Sequence, residues 1–254
     1  MNAGYFEEAC AWRDWLLRAA AGSPDQVQIM YGIRGERQLI EWEANWLRGY
    51  EDSRPVRIGN AAFSQLQLDV YGEVADALLH GYLGGIPVND TALGLQEALT
   101  DHLVTIWEQA DHGIWEVRGE LQNFTYSKVM AWVAFDRTLK IAEKFGLRGD
   151  LARWREVRDQ IHRYISDNCF DTQLGSFTQN PGSKELDASL LLMPLVGFLP
   201  VTDSRVQGTV AAIERQLIIN GLVARYRTEI VETVFLRARA YFSRAAFGWS
   251  AFLR

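Results

Sequence analysis

Apolar residues recur at helical spacing along most of the chain. Over residues 3–21, Phe6, Cys10, Trp12, Trp15 and Leu16 gather toward one side, which predicts a helix, and Gly22-Ser23-Pro24-Asp25 ends it. Val27 to Tyr31 alternates apolar and polar before Gly32 and Gly35, the pattern of a short strand or hairpin. Residues 41–60 read as a loop rich in aromatics (Trp42, Trp46, Tyr50) that runs into Ser53-Arg54-Pro55. A loop of that length inside a compact domain is usually functional. Further helices are predicted over 63–79, with Leu66, Val70, Val74 and Leu78 in register, and over 91–107, ending before Asp111-His112-Gly113. Others follow over 126–144, stopped by Gly146, and over 151–165, with Arg and Glu on the outer face. A hairpin is expected around Gly175, a short apolar helix over 186–197 stopped near Pro200, and a helix over 204–217.

Helix pairs joined by alternating short and long loops suit an α/α toroid, whose long loops gather at one end and build a pocket. The absence of a fixed short repeat weighs against a solenoid scaffold. From Glu229 onward the pattern changes. Apolar residues such as Val234, Phe235, Tyr241, Phe242 and Phe247 do not keep to one stripe, and arginines are interspersed.

Composition narrows the class. The chain has 254 residues, 48% hydrophobic and 23% charged, enough for one large domain or two small ones and for a sizeable core. A net charge of -6 argues against nucleic-acid binding, which needs a basic face for phosphates. Nine Trp, nine Tyr and twelve Phe permit a carbohydrate ligand, because aromatic rings stack on the apolar faces of sugars; for any single ring, a place in the core is the competing reading. Cys10 and Cys169 fit no metal spacing and are too few for a disulfide framework, so a cytoplasmic protein is expected. No signal peptide is visible at the N-terminus. The longest apolar stretch, Leu190 to Pro200, is too short to span a bilayer, and no membrane partner is expected.

Several chemistries are excluded by their motifs. The chain has no Gly-rich phosphate loop, no HExxH zinc motif and no GxSxG elbow, so neither a metal nor a cofactor is expected. The histidines (His80, His102, His112, His162) are scattered at helix ends or on polar faces, where a solvated role is the default. What remains is carboxylates in aromatic loops. Glycoside hydrolysis needs two carboxyl groups flanking the anomeric carbon, one kept protonated to donate to the leaving oxygen. Apolar neighbours favour the protonated form by disfavouring the anion. Glu116 sits in Gly113-Ile114-Trp115-Glu116-Val117-Arg118-Gly119, a Gly-bounded loop between two helices. The competing reading is a loop glutamate paired with Arg118. Glu41, Glu43, Glu51, Glu185 and Asp187 stand on the same footing.

Several runs carry a resemblance. Gln28 to Arg37 (QIMYGIRGER), Ser53 to Ala62 (SRPVRIGNAA) and Gln67 to Glu73 (QLDVYGE) resemble stretches of bacterial glycoside hydrolases of family 15. So do Gly113 to Glu116, Phe124 to Lys128 (FTYSK) and Gly182 to Ser189 (GSKELDAS), in order and at similar spacing, over about residues 5–228. The resemblance implies an all-α (α/α)6 toroid of six-hairpin type, here incomplete, and hydrolysis of α-glucosidic bonds with inversion. The Gly-Ile-Trp-Glu motif then makes Glu116 the general acid. Arg54 and Arg57 become candidates for bonding sugar hydroxyls, against pairing with Glu51 and Asp52. Trp46 and Tyr50 become candidates for stacking, and Lys184 and Glu185 lie in another loop of the pocket end. Trp115 belongs to the same set, in a role closer to packing against the acid than to touching sugar. The Tyr-Gly-Ile-Arg-Gly and Arg-Pro-Val-Arg-Ile-Gly-Asn-Ala runs look most like trehalase-type members, so trehalose leads as substrate, with short α-glucans beside it.

The departures matter as much. The family's Trp-x-Arg-Asp motif, which grips the terminal glucose, is not present: Trp12-Arg13-Asp14 is close in composition but lies on a later helix. No segment matches the family's second catalytic Glu, so no general base is named. The expectation is a partial catalytic domain over 1–228 and an atypical tail over 229–254, which a frameshift would produce. Missing toroid ends would expose apolar helix flanks and favour self-association. They would also slow hydrolysis, and the alternative is a non-catalytic sugar-binding or interaction module derived from the same fold.

Overall fold

In the computed structural model of the chain, residues 4–227 and the backbone of 241–242 are described. Six α-helices dominate: α1 (Phe6–Ala19), α2 (Asp69–Leu83), α3 (Asp90–Ile106), α4 (Thr125–Phe145), α5 (Leu151–Asn168) and α6 (Ser204–Leu217). Their starts follow from local chemistry. Asn89, Asp150 and Asp203 cap α3, α5 and α6 by accepting the backbone N–H groups of Ala92, Arg153 and Arg205 at 2.7, 2.9 and 2.9 Å. α1 opens with Glu7 and Glu8 and closes with Arg18, charges that complement the helix dipole. α4 stops where Gly146 turns left-handed at φ 77°.

Burial sorts the helices. α4 is buried nearly all round, from Tyr126 through Ile141, and α2 packs along it. The two backbones approach closely at Gly72, where a Cβ would stand 2.3 Å from the Met130 carbonyl oxygen. α5 is amphipathic, burying Trp154, Val157, Ile161 and Ile165 at i, i+3 and i+4 spacing against α4 and facing solvent elsewhere. α3 packs on α2, α4 and α5 and also contacts α1. Buried α2 and α4 thus alternate with the outer α1, α3 and α5, the arrangement of an incomplete (α/α)6 toroid. One core joins α2 to α5 through Leu68, Phe135, Trp154 and Phe177, and a smaller one holds α6 through Leu186, Leu191, Ile213 and Leu217. Each such side chain contributes roughly 1.5–3 kcal/mol on burial.

Strands are short and decorate the loops. β1 (Trp42–Glu43) pairs antiparallel with β2 (Arg57–Ile58), and β3 (Phe170–Asp171) with β4 (Ser176–Phe177), the hairpin expected at Gly175. β5 (Ile218–Ile219), β6 (Leu222–Ala224) and β7 (Tyr241–Phe242) form a three-stranded sheet. Apart from β7, the tail expected to be atypical lies outside the described residues.

Four expectations are corrected. Val27 to Tyr31 forms no strand: Ile29, Met30 and Tyr31 line a cavity, and the segment is held by side chains, with Gln28 Nε2 donating to the carbonyls of Arg37 at 3.0 Å and Phe63 at 2.8 Å. The helix expected over 63–79 begins only at Asp69, after a 3-10 turn at Ala61–Ser64, because the Asp111 carboxylate captures the Leu68 N–H at 2.8 Å. Residues 186–197 form a 3-10 turn at Ala188–Leu192 and further turns, not an α-helix. Pro194 and the left-handed Gly197 (φ 79°) stand in the way. His162, read as solvated, stacks on Phe198 with ring centroids 4.7 Å apart.

Candidate active site

Glu116 sits in a loop whose two ends are tied together. Asp111 and Gln122 exchange backbone hydrogen bonds of 2.9 and 3.0 Å, closing residues 111–122 on themselves between α3 and α4. The base of the loop is fixed by the buried Lys128, whose ammonium donates to the carbonyls of Trp107 and Gln109 at the end of α3, at 2.7 and 2.5 Å. Burial pulls this amine down to about 8, against the upward pull of Asp111, Cys169 and Glu108.

Within the loop the backbone turns tightly. Gly113 (φ 65°) lets the ring of Phe124 approach so closely that a Cβ would stand 2.7 Å from its Cδ2. The Val117 N–H then returns to the His112 carbonyl at 3.2 Å. Glu116 itself is left-handed, at φ 54°, a conformation that costs a non-glycine residue about 1–2 kcal/mol. Such cost persists where the surroundings hold the residue, and they do so on both sides.

On one side, Trp115 Nε1 donates to both oxygens of Asp187, at 2.9 and 3.1 Å. Asp187 is buried and also accepts from Ser189 N–H (2.8 Å), Ser189 Oγ (2.6 Å) and Gln179 Nε2 (3.1 Å). Burial pushes its carboxyl up, and these donors pull against that shift. The Arg225 guanidinium lies 5.0 Å from the Trp115 ring. The polar edge of Trp115 is therefore committed to the protein. On the other side, Asn60 Nδ2 donates to Glu116 Oε2 at 3.2 Å.

Arg118 does not take up Glu116. It makes a two-pronged contact with Glu41, at 3.0 and 2.6 Å, and these hydrogen bonds hold the Glu41 carboxyl below its ordinary value. Arg57 lies within 3.5 Å of Glu41 and of Glu43, its cross-strand neighbour, rather than of Glu51 or Asp52. Asp52 pairs with Arg48 at 3.0 Å. The Glu41–Arg57–Arg118 set thus ties the 41–60 loop to the Glu116 loop. Arg54 is exposed, as are Trp46 (71%) and Tyr50 (82%); the Trp46 ring leans on Trp42 with centroids 5.5 Å apart. Lys184 pairs with Asp171 of β3, and Glu185 is half-buried, its carbonyl accepting from the Gln179 N–H at 2.8 Å. The backbone from Gln179 to Asp187 therefore joins the Glu185 segment to Trp115, while the Lys184 side chain turns toward the hairpin.

Sequence reading passed over a second set of titratable groups beside the loop. Tyr126, on α4, donates its hydroxyl to Glu73 Oε1 of α2 at 3.1 Å. Burial pushes Glu73 up, although one side of it is open to solvent. Asp69, at the start of α2, is pushed up to about 7, first by burial and then by the negative charges of Asp111 and Glu73. The signal that could have found them is the carboxylate spacing in Gln67-Leu68-Asp69-Val70-Tyr71-Gly72-Glu73, which puts Asp69 and Glu73 one helical turn apart.

An apolar cavity of about 340 Å³ lies elsewhere, between α1, α2, α3 and residues 27–31, with Trp15, Met30, Tyr31, Val70 and Leu99 in its wall. Its lining has no carboxylate and so offers no acid–base chemistry. Among the described residues no group of His, Cys, Asp and Glu could hold a metal ion, and no helix is long and apolar enough to cross a membrane.

Comparison with known proteins places the fold and the family. The family model for "Glycosyl hydrolases family 15" matches residues 1–242. The chain is 44% identical over 201 residues to a trehalase of Mycobacterium tuberculosis, covering 79% of this chain and 29% of that protein. It is 42% identical over 208 residues to a trehalase of Mycolicibacterium smegmatis (82% and 31%) and 38% identical over 227 residues to one of Thermoplasma acidophilum (89% and 39%). The chain thus spans about a third of the length of these curated relatives. Among solved structures, a glycosidase in complex with glucose superposes with a TM-score of 0.65 at 19% identity, covering 88% of this chain and 59% of that one. A wild-type glycosidase gives the same values. At that identity the likeness speaks for the fold.

Proposed function

The chain belongs to the glycosyl hydrolases of family 15, and on that premise we propose that it carries the acid side of an inverting α-glucosidase site, with Glu116 as general acid and trehalose as substrate. The observation that carries the reading is the placement of Glu116: a carboxyl on a left-handed turn, held between Asn60 and the Trp115–Asp187 pair. Nothing local favours that backbone, so the surroundings pre-position the group. The trehalase relatives favour trehalose over short α-glucans.

In the proposed step, the Glu116 O–H bond breaks as its proton passes to the glycosidic oxygen. The C1–O bond breaks with its electron pair going to that oxygen. Water adds to C1 from the opposite face and loses its proton to a second carboxylate. The proposal assigns the acid alone and leaves that second carboxylate unassigned. Arg54, Arg57, Trp46, Tyr50, Lys184 and Glu185 are proposed as the sugar-binding surroundings. Arg57 would act from within its Glu41 and Glu43 pairs, and Trp115 as the support of the acid.

A second reading is a sugar-binding module without turnover, since no second carboxylate is assigned opposite Glu116. Proton NMR of trehalose incubated with the purified chain separates the two. The first reading expects equal release of α- and β-glucose, abolished in Glu116→Gln. Retained trehalose binding in both proteins with no glucose from either supports the second. Undiminished release by Glu116→Gln overturns the acid assignment.

A further inference from the structure

We propose that Asn60 is a positioning residue that decides which oxygen of Glu116 carries the proton, leaving Oε1 as the donating atom. The inference rests on the reading of Glu116 as the acid. An asparagine side chain has one acceptor and one donor end, and its neighbours decide which way it points. Here the neighbours leave no choice. Asn60 begins the 3-10 turn Ala61–Ser64, and the Ala62 N–H, which can only donate, lies 2.9 Å from Oδ1. The backbone of Asn60 is pinned as well, its N–H donating to the Leu39 carbonyl at 2.9 Å and its carbonyl accepting from the Phe63 N–H at 3.2 Å. The NH2 end therefore faces Glu116, 3.2 Å from Oε2.

A protonated carboxyl has one hydroxyl and one carbonyl oxygen. A fixed N–H donor is accepted more strongly by the carbonyl oxygen than by the hydroxyl, so it favours Oε2 as the carbonyl and Oε1 as the hydroxyl. A general acid free to carry its proton on either oxygen would spend part of its time with the proton turned away from the leaving group. Asn60 makes that alternative the minor one. The same bond strengthens as the proton departs, because the acceptor becomes a carboxylate. It thus favours the transition state over the ground state, the condition for raising kcat rather than lowering KM.

The test separates this role from that of a turn cap. Ser is as good a cap as Asn, but its hydroxyl is too short to serve as the second, amide arm. Asn60→Ser therefore keeps the Ala62 bond and removes the donor to Glu116. Infrared difference spectra of the full chain at acid pH, with Glu116→Gln subtracted, isolate the C=O stretch of protonated Glu116. The proposal expects that stretch to move to higher wavenumber in Asn60→Ser, as its hydrogen bond is lost. It expects kcat for trehalose to fall about tenfold or more at unchanged KM. An unmoved stretch in a folded Asn60→Ser protein overturns the proposal whatever the turnover. Undiminished glucose release by Glu116→Gln would instead overturn the reading of Glu116 itself, and the infrared result would still report where its proton lies.

Discussion

Trp115 and Asp187, 72 residues apart in sequence, are joined by a forked hydrogen bond in which the indole N–H reaches both carboxylate oxygens. The carboxylate also satisfies two groups of Ser189 and the Gln179 amide, so one buried side chain completes four donors. Asp187→Ala should cost about 3–5 kcal/mol in urea denaturation, since it strands several buried donors at once. Asp187→Asn, which keeps an acceptor oxygen, should cost about half as much. Equal losses would mean that the cost comes from the cavity and not from the bonds.

The carboxyl of Asp69 makes stability depend on pH. Its folded value of about 7 lies above the ordinary 3.8, so between these values the folded chain holds a proton that the unfolded chain has released. The contribution is present in full below pH 4 and is lost as pH rises through 7. Asp69→Asn removes the titrating group. Its stability relative to the natural chain should therefore rise between pH 4 and pH 8, by roughly 2–4 kcal/mol. Denaturation curves at several pH values check this, and parallel pH profiles for the two proteins would exclude it.

At Gly72 the helices α2 and α4 touch backbone to backbone. A methyl group there meets the Met130 carbonyl oxygen at 2.3 Å, and backbone cannot give way as a flexible side chain would. Gly72→Ala should destabilise the fold by about 2–4 kcal/mol, although alanine is the better helix former by about 1 kcal/mol. A variant as stable as the natural chain would show that the two helices can part at small cost.

The left-handed backbone at Glu116 predicts an inversion of the usual helix-scale ranking. Glu116→Gly should melt above Glu116→Ala, by an amount equivalent to about 1 kcal/mol, because only glycine adopts φ 54° without cost. Thermal melts of the two variants measure it, and equal melting temperatures would mean that the turn relaxes once the carboxyl is gone.

The helices were legible in the sequence wherever one face is apolar and the ends carry their own chemistry. α5 shows both, with Trp154, Val157, Ile161 and Ile165 in register behind Asp150. The start of α2 was not legible, because Leu66 keeps helical spacing with Val70 while the backbone N–H of Leu68 is taken by Asp111, 43 residues away. Residues 27–31 misled for a related reason: their alternation places side chains in a cavity wall, with no partner strand. The same contrast holds at the site. The apolar, Gly-bounded setting of Glu116 can be read locally. Its contact with Asn60 spans 56 residues, and the diversion of Arg118 to Glu41 spans 77. Such pairings are set by how loops converge, which no local pattern encodes.

The mutual hydrogen bonds of Asp111 and Gln122 give the Glu116 loop the character of a cassette. Its two ends leave the helical frame side by side, so residues can be inserted, removed or exchanged between them without changing the path of α3 or α4. A frame built this way can take on a different loop by altering one closed segment. It can also lose its chemistry by the same route and remain folded.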